Sequence, residues 1–392
     1  WKGTRWWKWP LSRQDKTSKG WHGAPEDGAS MDLGNTQEKR AGQAVPALFR
    51  SKSAAQRLRA VQELARAVSD ESRELLRRAL FDRSNLVVAE AAKALAAHGD
   101  REAAPLMIER YYWFAADGLR RDPGCAARWQ LVTALASLGD HRAADVFFDA
   151  IETVQVEPSG AGLEDMAVPL RAQAAMGLAE LAPPGALVAI ALLLFDDQPK
   201  APTAPQHEPF VTLATRRVAA RALASLGDPG GAAVLALKLR YPGNEVPEVL
   251  VECMDALVAL DEQAALKLIP QYLEHRHPYL ATGAATALAT LRGSAQGKVL
   301  EMLLEACHRQ SQEAREGIAL AIASMRGDEA IHALERLAKA DDPSVRLASV
   351  SALAHKGGPA SEVILSRLAK DPDAAVARRA AGALQALHES SK

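Results

Sequence analysis

Little in this chain of 392 residues suggests cross-links or chemistry. It has only three cysteines, Cys125, Cys253 and Cys307, with no C-x-x-C spacing, so neither a zinc site nor a redox pair is implied. A sparse, odd count fits a reducing, cytoplasmic setting in which each thiol is a small buried apolar group. Aromatic residues make up 5%, which argues against strands, since strands favour aromatic and β-branched side chains. No alternating strand-like stretch stands out. No apolar run reaches the roughly 18 residues a membrane helix needs, and Ala189 to Phe195 reads as part of a buried helix. Walker A, G-x-G-x-x-G and G-x-S-x-G patterns are absent, which leaves nucleotide and hydrolase chemistry without support. His275-x-His277 precedes Pro278 without a third ligand and reads as a polar turn. No cofactor, metal or catalytic constellation is implied.

What the chain has is a repeat, clearest from Arg326 to Gly358. Ile331, Leu334 and Leu337 fall at helical spacing; Asp341-Asp342-Pro343-Ser344 then breaks that helix and opens the next. Val345, Ala348, Ala352 and Leu353 share one side of the second helix, and Gly357-Gly358 stops it. Ten copies align on one apolar residue of the second helix: Leu64, Leu95, Leu135, Leu178, Leu223, Leu257, Leu288, Ile322, Leu353 and Leu384. Their separations are 31, 40, 43, 45, 34, 31, 34, 31 and 31. Seven residues earlier, six copies have arginine: Arg57, Arg128, Arg171, Arg216, Arg315 and Arg346. A period of this length signals stacked helical hairpins, each contacting only its neighbours.

Charge is divided unevenly. Residues 1–22 hold six basic residues against Asp15, a net +5, and the whole chain is −1, so the rest carries −6. A mildly acidic solenoid is a poor general nucleic-acid binder. Residues 1–41 stand outside the repeat and are read as a disordered or non-native N-terminal extension, with Met31 a candidate start. Trp1, Trp6, Trp7, Trp9 and Trp21 among lysines and arginines leave a second reading open, a peripheral membrane contact through Trp1–Trp21. Residues 42–388 form the solenoid, and 389–392 a frayed tail.

These residues resemble the HEAT repeat family. The 31-residue period, the Asp342-Pro343-Ser344-Val345-Arg346 turn and L-G-D endings such as Leu138-Gly139-Asp140 are most similar to the bacterial short-repeat subgroup named after phycobilisome lyases. The resemblance covers residues 42–388. It implies an all-α, right-handed superhelical solenoid of about ten helical hairpins. The family includes scaffolds, adaptors, bilin lyase subunits, deoxyhypusine hydroxylase and DNA glycosylases, so the fold does not carry the function. The His-Glu pairs that bind iron in the hydroxylase have only His207-Glu208 and His388-Glu389 as counterparts, in a Pro-rich loop and the tail. Trp129, Arg217, Arg221 and Asp255 resemble a fragment of a glycosylase groove, a reading the acidic balance disfavours. No residue specifically marks tetrapyrrole handling. The repeat arginines are expected to pair with acids near neighbouring turns, Asp341, Asp342, Asp371 and Asp373 among them; the alternative is a phosphate track.

The long intervals reflect insertions between the two helices of units three, four and five, at 115–124, 153–165 and 196–209. Equivalent turns lie on one edge of a solenoid, often the binding edge, although tolerated surface growth gives the same lengths. Tyr111-Tyr112-Trp113-Phe114 cannot all face one side of a helix, so at least one is exposed or packed under an insertion. The expected function is a non-catalytic protein-interaction scaffold or adaptor. Its contact residues are Tyr112, Trp113, His207 and Phe210 at the insertion edge, and Trp129, Thr133, Arg217, Arg221, Val251 and Asp255 on the concave face. The alternatives are a bilin lyase-like or chaperone-like subunit and a DNA-binding HEAT protein.

Overall fold

A computed structural model describes residues 51–160, 162–195 and 210–390. The first described helix is α1 (Ala54–Ala65), the second helix of unit one. Unit two pairs α2 (Asp70–Ala79) with α3 (Asn85–Ala97). Unit three has α4 (Ala104–Ala115), the short α5 (Gly118–Arg121) and α6 (Ala126–Leu138). Unit four has α7 (Ala144–Glu152), a hairpin of β1 (Val156–Ser159) and β2 (Gly162–Asp165), and α8 (Val168–Leu181). Units five and six pair α9 (Ala186–Leu194) with α10 (Phe210–Leu226), and α11 (Pro229–Arg240) with α12 (Pro247–Leu260). Unit seven has α13 (Glu262–Leu268), α14 (Pro270–Leu273) and α15 (Pro278–Ala289). Units eight to ten pair α16 (Ala295–Arg309) with α17 (Gln312–Ser324), α18 (Asp328–Ala338) with α19 (Pro343–Lys356), and α20 (Gly358–Leu368) with α21 (Ala374–Ser390).

The local signals act as their chemistry dictates. At the start of α19 the Asp342 carboxylate accepts from the Ser344 N–H at 2.9 Å, and Pro343 occupies the first turn, where a missing N–H costs nothing. Gly357 ends the helix at φ 66°, a conformation in which a Cβ would be strained. First helices bury one stripe: α18 buries Ala330, Ala333, Leu334, Leu337 and Ala338 and exposes Asp328 and Glu329. Second helices are buried on more than one side. In α15, Leu280, Ala281, Gly283, Ala284, Ala285, Ala287, Leu288 and Ala289 are all buried. Small residues let each second helix lie close to the next. A Cβ on Gly283 would collide with Val251, and one on Gly317 with Thr282. The second helices pack more closely than the first helices, so their row lies inside the curve.

The ruler residues Leu64 to Leu353 are fully buried in one continuous core, nine in succession. The tenth, Leu384, is only partly buried. Two local features differ from the sequence reading. The 153–165 insertion is not a loop but a four-pair antiparallel hairpin, from Val156↔Asp165 to Ser159↔Gly162. It escapes a strand pattern because its ladder is held by the repeat beneath it rather than by an apolar face. The first helix of unit seven, which the repeat pattern leads one to expect unbroken, breaks at Ile269, since Pro270 lacks the N–H that would continue it. Helix α21 runs to Ser390. Residues 1–41, the 196–209 insertion and His207 lie outside the described residues, as does the side chain of Phe210.

Candidate partner-binding surface

The repeat arginines are ion-paired. Arg57 Nε meets Asp82 at 2.7 Å, Arg346 Nε meets Asp371 at 2.8 Å, and Arg216 Nη2 meets Glu245 at 3.0 Å. In each, the acid comes from the turn of the following unit, as expected for a structural ladder. Arg315 caps the carbonyls of Cys307 and Gln310, bonds the Ser344 hydroxyl and lies 3.7 Å from Asp342. Units three and four use a different source. Arg128 Nε meets Asp122 at 3.1 Å and Arg171 Nη1 meets Asp165 at 2.6 Å, each acid closing its own unit's insertion. Both carboxylates also accept N–H groups at the start of the second helix, at Ala127 and Arg128 for Asp122 and at Ala167 for Asp165. Paired arginines of this kind do not form a phosphate track.

The insertions of units three and four are folded into one body. Gln155, 5% exposed, accepts from Arg128 and donates to the Asp122 carbonyl at 2.9 Å and to Glu157 at 2.5 Å. Glu157 also accepts from the Gly124 N–H at 2.7 Å, which ties the first insertion to the hairpin. Gly118 permits this approach, since a Cβ there would collide with Gln155 and Arg128. Between the insertions lies an open cavity of about 500 Å³, whose lining includes Leu119, Arg128, Asp149, Val154 and Gln155. The Tyr111 hydroxyl donates to Asp149 at 2.6 Å, and burial pushes the pKa of Tyr111 upward.

The aromatic run divides as helical geometry requires. Tyr111 and Phe114 are fully buried, while Tyr112 and Trp113 are 41% and 38% exposed. Sequence reasoning missed the residue at the centre of this edge. Arg110, 6% exposed, lies with its Cζ 4.1 Å from the Trp113 ring centroid, 5.0 Å from Phe114 and 5.4 Å from the exposed Phe81. Arg121 Cζ lies 4.4 Å from the same Trp113 ring. The available signal was position: Met107, Arg110, Tyr111 and Phe114 share the buried face of α4, so Arg110 is an arginine in a core stripe.

The expected concave residues prove mixed. Trp129 is 41% exposed and Asp255 is exposed. Thr133 is half-buried, with its hydroxyl turned back onto the Trp129 carbonyl at 2.8 Å. Val251 is half-buried, because it packs where Gly283 passes. Arg217 and Arg221 both bind Glu252 of the next second helix, at 3.3 Å and 2.5 Å. The Asp255 carboxyl is raised to about 6 by partial burial and by the neighbouring Glu252, with Arg221 opposing. A second polar group joins units eight to ten, where Glu316 accepts from Ser351 at 2.7 Å and from Arg379 at 3.2 Å.

Among the described residues no cluster of three or more His, Cys, Asp or Glu could hold a metal, and no helix is long and apolar enough to cross a membrane. The His277 N–H donates to the His275 ring at 3.1 Å, as a polar turn should.

Repeated hairpins with one row of helices inside the curve define an α-solenoid. Residues 43–112 and 300–387 match the family model of HEAT repeats, so these two stretches of the chain are HEAT repeats. No curated protein sequence matches it. Among solved structures it is similar to Kap121p bound to Nup53p, at 13% identity and a TM-score of 0.50, over 90% of this chain and 42% of that one. It is also similar to the CpcE–CpcF complex of phycocyanin lyase from Nostoc sp. PCC7120, at 19% identity and a TM-score of 0.34, over 72% of this chain and 94% of that one. Human deoxyhypusine hydroxylase matches at 17% identity and a TM-score of 0.29, over 82% of this chain and 97% of that one. At these identities the likeness is one of fold.

Proposed function

We propose that this chain is a non-catalytic scaffold that binds a protein partner through the insertion edge of its middle repeats, with the concave face contributing. The reading rests mainly on one observation. Two insertions that could each have been loose loops are locked together by buried polar contacts, beside exposed Tyr112 and Trp113. Rigid aromatic side chains next to a fixed surface are what a protein interface needs, because little conformational freedom is lost on binding. On the concave face, Trp129, Arg221 and Asp255 remain accessible. The pairing of the repeat arginines weighs against a nucleic-acid role, which needs unpaired cations along a groove.

The test is affinity capture with the full chain, followed by quantitative mass spectrometry, comparing wild type with Y112S/W113S and with W129S/R221E. A partner retained by wild type and lost from Y112S/W113S supports the edge. Equal capture by all three proteins rejects both surfaces.

A further inference from the structure

We infer that the edge formed by Phe81, Arg110, Trp113 and Arg121 receives an acidic peptide segment of the partner, one carboxylate on the two guanidiniums and one apolar side chain on the exposed rings. The inference rests on the scaffold reading above and specifies its partner chemistry.

The argument begins with a contrast inside the molecule. Arg57, Arg128, Arg171, Arg216 and Arg315 are buried, Arg346 is half-buried, and each has a carboxylate partner. Arg110 is buried to the same degree but forms no ion pair among the described residues. Its Nε has no acceptor, and only Nη2 donates, to the Asp82 carbonyl at 3.3 Å. Burial lowers its pKa, Glu109 and Asp82 oppose that fall, and the nearby Arg121 adds to it. A buried cation without a counter-charge is costly, and stacking on aromatic rings offsets only part of that cost. Arg121 is likewise without an ion pair among the described residues; its Nη1 donates to the Trp113 carbonyl at 2.6 Å. Two arginines therefore converge on one indole ring, neither of them ion-paired among the described residues.

The surroundings select the ligand. Phe81 and Trp113 are 46% and 38% exposed, which supplies an apolar seat beside the charge. Asp82, Glu109 and Asp117 flank the cluster in sequence. A phosphate backbone would meet these acids and would find two cations where it needs a row. A single carboxylate next to a large apolar side chain satisfies the guanidiniums, which bind carboxylates in a planar fork, and brings one negative charge near these acids where a phosphate backbone brings several.

The experiment is selection of a random peptide library on the immobilised full chain. Anisotropy titrations of the enriched peptides would follow, against wild type, R110K, R121Q and W113A, with circular dichroism to confirm folding. The expected peptides carry Asp or Glu beside an aromatic or large aliphatic residue. R121Q should weaken them at least about tenfold, the loss of one charge-assisted contact, and exchanging their carboxylate for an amide should do the same. Enriched peptides without an acid, or peptides indifferent to R121Q and W113A, would overturn this inference and leave the scaffold reading standing. No enrichment at all would overturn both. A labelled single-stranded oligonucleotide that binds tightly and is lost on R121Q would assign the edge to nucleic acid instead.

Discussion

The inserted units can be tested through Asp122, whose carboxylate is fully buried. It takes four donors: the Ala127 N–H at 2.8 Å, the Arg128 N–H at 3.0 Å, Arg128 Nε at 3.1 Å and Asn85 Nδ2 at 3.2 Å. Asp122→Asn keeps the size but removes the charge and turns an NH₂ group toward donors. Arg128, 3% exposed, then becomes a buried cation without its counter-charge. Removing one member of a buried pair costs about 3–5 kcal/mol, and the retained amide oxygen sets the lower end, about 3 kcal/mol. A solenoid need not unfold as one unit, so a global midpoint would blur the effect. Hydrogen exchange reads it locally, where about 3 kcal/mol corresponds to roughly 100-fold faster opening. Amides of α6 and the 156–165 hairpin should show that rise, while α19 should not change. The double variant D122N/R128M should lose less than D122N, since no cation is left unpaired. A rise of less than about tenfold at α6 and the hairpin, or a double variant worse than the single, would refute the account of the insertions as one locked body.

Three further outcomes follow from the same structure. Folded Asp255 has its pKa raised to about 6 from 3.8, so the folded state holds a proton that the unfolded chain has released. Stability should fall as pH rises between those two values, and Asp255→Asn should flatten that part of a melting-temperature profile; an unchanged profile would remove the raised carboxyl. Gly283→Ala should destabilise the wild type, because overpacking against Val251 by about 1–3 kcal/mol outweighs the helix gain of about 1 kcal/mol. In a V251A background the same change should stabilise, so urea titrations showing one sign in both backgrounds would contradict close packing of α12 and α15. Burial raises the pKa of all three thiols, to about 12 for Cys125 and Cys307, so native protein should resist iodoacetamide at neutral pH and react fully once unfolded; rapid native labelling would count against the core.

The fold was legible because its signals are local and repeated. Asp342-Pro343 starts a helix, Gly357 stops one, and an apolar residue recurring at about 31-residue spacing places the core. The division of Tyr111 to Phe114 into buried and exposed pairs also follows from helical geometry alone. The candidate surface was legible only in outline. Insertion lengths pointed to the edge, but nothing in residues 153–165 announces a hairpin, since its strands depend on Gln155 binding Asp122 of the preceding unit and on Asp165 accepting from the Gln155 N–H.

Charge shows the limit most plainly. The sequence by itself determined the helices, the period, the ruler of buried leucines and the row of repeat arginines, because propensity, capping and periodicity act over a few residues. Which acid each arginine meets was decided only by tertiary structure: Asp82 lies 25 residues beyond Arg57, whereas Asp122 lies 6 before Arg128. The isolation of Arg110 among rings was decided the same way, because a missing counter-charge is a property of the space around a side chain and not of its neighbours along the chain.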